Sequence, residues 1–130
     1  MAIIKKEDKV LLINHRGLNS QNCFWMPPGG GLEPTESLTA CIKREVFEET
    51  NLVVLSSQFE YLNEYVNDSL HAVELFFSSK VINYDAKLGF DPEVTKENQF
   101  MQEIKWMSQR EISEIDDDLI HPIIKKYCTC

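Results

Sequence analysis

Residues 35–51 read Thr-Glu-Ser-Leu-Thr-Ala-Cys-Ile-Lys-Arg-Glu-Val-Phe-Glu-Glu-Thr-Asn, a helical segment with three glutamates near its C-terminal end. At about 100° per residue, Leu38, Cys41 and Ile42 share one stripe, which is predicted to face the core. The same stripe then reaches Glu45 and Glu49, with Glu48 on its flank. Glu45 repels Glu48 at i+3 and Glu49 at i+4, at a few tenths of a kcal/mol each. The macrodipole at a helix C-terminus disfavours each anion by roughly 0.3–1 kcal/mol. Burial adds to the cost or raises the carboxyl pKa values. A divalent cation offsets all three penalties together. Carboxylate oxygens are hard ligands suited to Mg²⁺ or Mn²⁺, and no nearby His or Cys favours zinc.

The run Gly30-x5-Glu36-x7-Arg44-Glu45-Val46-x-Glu48-Glu49-x-Asn51-Leu52 resembles the box of the Nudix family, Gly-x5-Glu-x7-Arg-Glu-U-x-Glu-Glu-x-Gly-U with U aliphatic. Every fixed position matches except the last glycine, where Asn51 stands. Asn is the next-best residue for a left-handed helix cap, so the turn is expected to survive. Trp25-Met26-Pro27-Pro28-Gly29-Gly30 before the box and Ile104-Lys105-Trp106-Met107-Ser108 near the end extend the resemblance. The whole chain, residues 1–130, then fits one domain.

The resemblance implies an α/β/α sandwich around a mixed β-sheet. It also implies a Mg²⁺-dependent pyrophosphohydrolase, with Mn²⁺ as the alternative ion, in which water attacks phosphorus. By the family pattern Glu45, Glu48 and Glu49 bind metal, and Arg44 orients Glu45 through a charge-assisted hydrogen bond. Glu45 is the first choice of general base and Glu97 the second. Glu97, in Lys96-Glu97-Asn98-Gln99, resembles the further metal-binding glutamate of MutT-type members, with Glu93 and Glu103 as competitors. Glu36 is expected to stabilise the loop–helix junction, and Gly29 and Gly30 to bring backbone close to metal and phosphates. Arg16 is a candidate phosphate contact. Phe24 and Trp25 are read as core before base-stacking, and His15, His71 and His121 as non-catalytic. Asp116-Asp117-Asp118 is read as a solvated loop.

The expected substrate is a small nucleoside di- or triphosphate. No Ser-Gln-Pro-Trp-Pro-Phe-Pro segment of the ADP-ribose type follows the box, and Asn67-Asp68-Ser69 occupies the neighbourhood where dinucleoside polyphosphate enzymes carry a tyrosine. Nucleotide sugars, ADP-ribose and dinucleoside polyphosphates stay as alternatives, as does a non-catalytic nucleotide-binding module. Oligomeric state is left open.

Several elements must position these residues. Ala2–Lys5 and Val10–His15 predict a hairpin across Lys6–Lys9, and Arg16–Asn22 a loop. Cys23–Met26 reads as a short strand stopped by Pro27-Pro28. Thr35 is the expected N-cap of the acidic helix, which runs to about Thr50 and ends at Asn51. Strands are predicted at Leu52–Leu55, Phe59–Val66, Ala72–Val81 and Met101–Met107. Asn83–Gln99 is a long loop, and short helices follow near Gln109–Ile115 and Asp118–Tyr127.

Composition agrees with such a domain. The 130 residues are 43% hydrophobic and carry a formal charge of −8. That balance excludes a basic footprint for a nucleic-acid duplex. No apolar run reaches the roughly 20 residues of a membrane helix, and the N-terminus lacks a signal peptide's apolar stretch, so a cytoplasmic protein is expected. Cys23 and Cys41 read as packed thiols, and Cys128 and Cys130 as a frayed tail. The acidity is uneven: residues 33–49 hold five acids against two bases, and residues 91–118 nine against three. A phosphate-bearing substrate must therefore arrive with metal.

Overall fold

The computed structural model describes residues 1–90, 95 and 99–127. In chain order the elements are β1 (Ala2–Ile3), β2 (Lys5–Lys6), β3 (Lys9–His15), β4 (Phe24–Met26), α1 (Leu38–Thr50), β5 (Val54–Val66) and β6 (His71–Val81). Then come β7 (Met101–Ser108), α2 (Gln109–Glu114), a 3₁₀ turn at Asp117–Leu119 and α3 (Pro122–Tyr127).

The run Val10-Leu11-Leu12-Ile13 is apolar without interruption because β3 is covered on both faces. Val10 and Leu12 join Trp25, Met107, Ile112, Ile123 and Ile124 in the core under α2 and α3. Leu11 joins Ile42, Val46, Leu52 and Val54 in the core under α1. Helices thus lie on opposite sides of the strands, giving the expected mixed α/β sandwich. β3 pairs antiparallel with β2 and β4 along one edge and with β7 along the other. The second sheet runs β1-β6-β5, with β1 parallel to β6 and β5 antiparallel to it.

Three sequence expectations change. Only Lys5-Lys6 makes the hairpin with β3, around Glu7 at φ 57°. Ala2-Ile3 instead pairs with Phe77-Ser78, because the free edge of β6 satisfies its backbone groups there. The two strands predicted between Leu52 and Val66 are one, since register shifts after Val54 and Phe59 let it continue through the polar Ser56-Ser57-Gln58. The N-cap of α1 is Ser37, whose side chain accepts from the Ala40 N–H, while Thr35 lies in the preceding loop at φ 67°.

The buried face also differs from the expected stripe. Leu38 is 44% exposed, and the buried residues are Cys41, Ile42, Val46 and Thr50. Ile42, Val46 and Thr50 recur at i+4 and keep to the core, so Glu45, Glu48 and Glu49 run beside that stripe rather than along it. The helix ends as expected: Asn51 takes φ 63° and donates its N–H to Phe47 O.

Candidate active site

The α1 carboxylates open onto a cleft of about 450 Å³. Its acidic wall is Glu45, Glu48 and Glu49 of α1 with Arg44, and Glu33 and Gly29-Gly30-Gly31 of the preceding loop also line it. His15, Leu32, Phe90, Phe100 and Met101 complete the lining.

Arg44 organises the acidic wall. Its Nε donates to Glu36 Oε2 at 2.7 Å and its Nη2 to Glu36 Oε1 at 3.0 Å, a two-pronged grip across the loop–helix junction. Its Nη1 donates to Glu45 Oε1 at 2.8 Å and to Glu48 Oε2 at 3.4 Å. The guanidinium holds the Glu36 carboxyl down to about 2, and the carboxylates raise the Arg44 pKa in return. Glu36 also accepts from the Glu33 N–H at 3.1 Å. Arg44 thus links Glu36 in the loop before α1 to Glu45 and Glu48 on the helix.

Glu49 is different. Burial, and then the nearby Glu45 and Glu48 charges, push its carboxyl up to about 8, against the lowering effect of the Gly29 N–H donated to its Oε1 at 3.2 Å. Gly29 makes that approach at φ 153°, where a Cβ would stand 2.6 Å from Met1 Cα. At Gly30 a Cβ would lie 2.5 Å from Glu45 Oε1 and 2.7 Å from Oε2. The Glu45 carboxylate rests on bare backbone there.

Among the described residues no three His, Cys, Asp or Glu side chains are gathered closely enough to hold a metal ion. Glu45 is turned to Arg44, and Glu49 to the Gly29 amide. The donor chemistry nevertheless fits a hard divalent cation. Three carboxylates share a wall, and the most enclosed of them is strongly disfavoured as an anion without a counter-charge.

The other assignments divide. Glu97 and Glu93, with Cys128 and Cys130, lie outside the described residues. Glu103 is exposed on β7 opposite Asn14. Arg16 is not part of the cleft lining; its Nε donates to Gln99 O at 2.8 Å and its N–H to Phe100 O at 2.8 Å, which ties the end of the long loop to β3. Trp25 is core, and Phe24 sets its ring edge-on to His121. His121 is buried against the Glu74 carboxylate, its Nε2 at 3.0 and 3.1 Å from the two oxygens. Its Nδ1 accepts from the Ile123 N–H, so Nε2 carries the proton toward Glu74. His71 pairs with Glu64 at the surface. Asp116–Asp118 are exposed, and Asp117 meets Lys125. Cys23 and Cys41 are free.

The residue that sequence reasoning missed is His15, which lines the cleft. Strand alternation was the available signal, since His15 follows Leu11 and Ile13 on the α1 side of β3. The long loop also contributes: Lys87 N–H donates to Thr50 O and Gly89 N–H to Glu49 O, covering the last carbonyls of α1.

The NUDIX domain model matches residues 1–127, and the chain belongs to the Nudix family. An ADP-ribose pyrophosphatase of Methanocaldococcus jannaschii is 33% identical over 92 residues, 69% of this chain and 54% of that protein. The m7GpppN-mRNA hydrolase NUDT17 of Bos taurus is 36% identical over 63 residues, 47% of this chain and 21% of that protein. The chain thus spans about half the length of the first of these relatives and a fifth of the second. Among solved structures, a NUDIX hydrolase from Nitrosomonas europaea superposes with a TM-score of 0.77 at 25% identity, covering 98% of this chain and 81% of that one. A MutT protein from Methanosarcina mazei Go1 shares the fold, with a TM-score of 0.75 at 21% identity over 98% of this chain and 86% of that one.

Proposed function

We propose that this protein is a Mg²⁺-dependent pyrophosphohydrolase, with Mn²⁺ as the alternative ion, that cleaves a nucleoside di- or triphosphate and releases a nucleoside monophosphate. The observation that carries the reading is the cleft itself. Part of its lining is acidic and braced by Arg44, and part is apolar and aromatic. A nucleotide has the complementary halves once its phosphates are neutralised.

Glu45, Glu48 and Glu49 would hold the ion, with Glu97 as the further ligand that the family pattern suggests. When bound, it supplies neutralisation of phosphate charge and a more acidic water. The chain's own residues do the rest. Gly30 leaves room for the Glu45 carboxylate to lie against the backbone, and Gly29 for Met1, so Glu45 and Glu49 are held close to the loop that lines the cleft. Arg44 fixes the Glu45 carboxylate beside Gly30, and Glu36 fixes Arg44. Glu45 takes the proton from water in this reading, with Glu97 second. Arg16 would act on substrate through its hold on Gln99 and Phe100. No helix among the described residues is long and apolar enough to cross a membrane, and the free Cys23 and Cys41 suit a reducing cytoplasm.

The test is hydrolysis of a panel of nucleoside triphosphates and diphosphates, ADP-ribose, a nucleotide sugar, a dinucleoside polyphosphate and a capped dinucleotide, with Mg²⁺ and with chelator. The proposal expects Mg²⁺-dependent turnover, fastest on a nucleoside di- or triphosphate. ADP-ribose as the best substrate would shift the reading toward the activity named for the archaeal relative. Tight nucleotide binding without turnover would make the chain a binding module. The two proton-acceptor assignments separate in pH–rate profiles of Glu45→Gln and Glu97→Gln, since loss of the base removes the acid limb.

A further inference from the structure

β3 and β7 pair in regular register as far as Ile13 with Ile104 and Asn14 with Glu103. Continued, that register would set Gln102 opposite His15. The pairing shifts instead, and His15 faces Met101. Gln102 turns away, its amide donating to Asn22 O at 2.7 Å and Asn14 Oδ1 at 3.3 Å. A bulge beside a cleft commonly re-aims side chains. Here it exchanges a polar neighbour of His15 for an apolar one.

The shift brings Met101 beside His15, where Leu32, Phe90 and Phe100 also line the cleft, both phenylalanines more than half exposed, at 64% and 52%. Meanwhile His15 Nε2 is buried and has no hydrogen-bond partner among the described residues. Buried polar atoms are nearly always paired, so a lone one at the edge of a binding cleft points to a partner that arrives with the ligand. Phosphate is the wrong partner. Burial lowers the His15 pKa, so the ring is neutral near pH 7, and the acidic wall is where phosphates and cation belong. A planar heterocycle with hydrogen-bonding edges fits both features: its faces suit the phenylalanines and an edge atom suits the imidazole.

We infer that the apolar wall seats the base of the nucleotide and that His15 is the specificity-determining residue that reads the base edge. This inference rests on the nucleotide-hydrolase reading and names the part of the substrate that the acidic wall does not engage.

The test has two arms. In the first, the metal-free protein with ¹⁵N-labelled imidazoles is titrated with the four common nucleoside 5′-monophosphates and with ribose 5-phosphate. The His15 signal is assigned by its loss in His15→Phe. The Nε2 resonance should move with at least one nucleotide and stay still with ribose 5-phosphate; no response to any nucleotide, or an equal response to ribose 5-phosphate, overturns the inference. In the second, kcat/KM is measured for the four nucleoside triphosphates. His15→Phe should lower the value for the preferred base by about tenfold or more and compress the spread among bases. His15→Gln, which keeps a donor and an acceptor, should retain more of that spread. An undiminished spread in His15→Phe overturns the inference. Hydrolysis of nucleotides with an unresponsive ring would leave the hydrolase reading standing and this one fallen. A ring that responds to bases in a protein without turnover would give the reverse.

Discussion

Replacing Gly30 by alanine should separate catalysis from stability in this protein. The added methyl would sit 2.5 Å from Glu45 Oε1, 2.6 Å from Cδ and 2.7 Å from Oε2. Ordinary contact begins near 3.4 Å, so the carboxylate must retreat by about 1 Å. It is the far end of a flexible side chain, and φ at Gly30 is not among the positive values, so alanine strains no backbone there. The cost to folding should therefore stay within about 1 kcal/mol. The site has less tolerance. The Arg44 Nη1–Glu45 Oε1 bond of 2.8 Å cannot survive a retreat of that size without Arg44 following, and Arg44 is held by Glu36. A misplacement of about 1 Å in a catalytic group can cost on the order of a hundredfold in rate. Gly31→Ala is the control, since its Cβ meets nothing within 4 Å. Urea titration and kcat/KM on the best substrate read the two quantities together. Gly30→Ala with near-normal stability and full activity would refute the placement of Glu45. A variant that does not fold would show that Gly30 serves the fold instead.

Gly89→Ala should do the opposite. Its Cβ would fall 1.8 Å from Glu48 O and 2.8 Å from Glu48 C, which are backbone atoms of α1 and cannot step aside. The long loop should lift from the helix end at a cost of about 1–3 kcal/mol, seen in urea and as faster hydrogen exchange at the Lys87 and Gly89 amides. Glu49→Gln tests the electrostatics in chelator. The folded-state pKa of Glu49 is raised from 4.5 to about 8, so the fold favours its protonated form. Without a cation, the native protein should lose stability as pH rises from about 4.5 toward about 8, by on the order of 2–4 kcal/mol. Glu49→Gln should flatten that slope and be the more stable protein at pH 8.5, and saturating Mg²⁺ should restore the wild type selectively. Parallel pH profiles for the two proteins would refute the burial argument.

The acidic helix was legible because its signals are local: a three- to four-residue period, a Glu-rich end and an asparagine able to take φ 63°. Its phase was harder to read. Thr35 and Ser37 both offer a capping oxygen, and the helix begins at Leu38; the burial of Ile42, Val46 and Thr50, which local pattern does not decide, leaves Leu38 outward and the carboxylates beside the core stripe. β1 was misassigned for a similar reason. Ala2-Ile3 satisfies the pattern of either sheet, and the free edge of β6, more than seventy residues away, wins. His15 was legible from strand alternation with Leu11 and Ile13, but its neighbour was not, because the shift in pairing gives it Met101 where regular register would give Gln102.

The central claim is that the carboxylates of α1, with a divalent cation, direct water to phosphorus in a pyrophosphate bond. Turnover of a nucleoside triphosphate in H₂¹⁸O with Mg²⁺, followed by ³¹P NMR of the products, addresses it directly. The account predicts cleavage of a P–O–P linkage with ¹⁸O in a phosphate product, and a loss of about a hundredfold or more in Glu48→Gln with its fold intact. Cleavage that proceeds nearly unaltered in Glu48→Gln, or no cleavage of any pyrophosphate by folded protein at saturating metal, would contradict it.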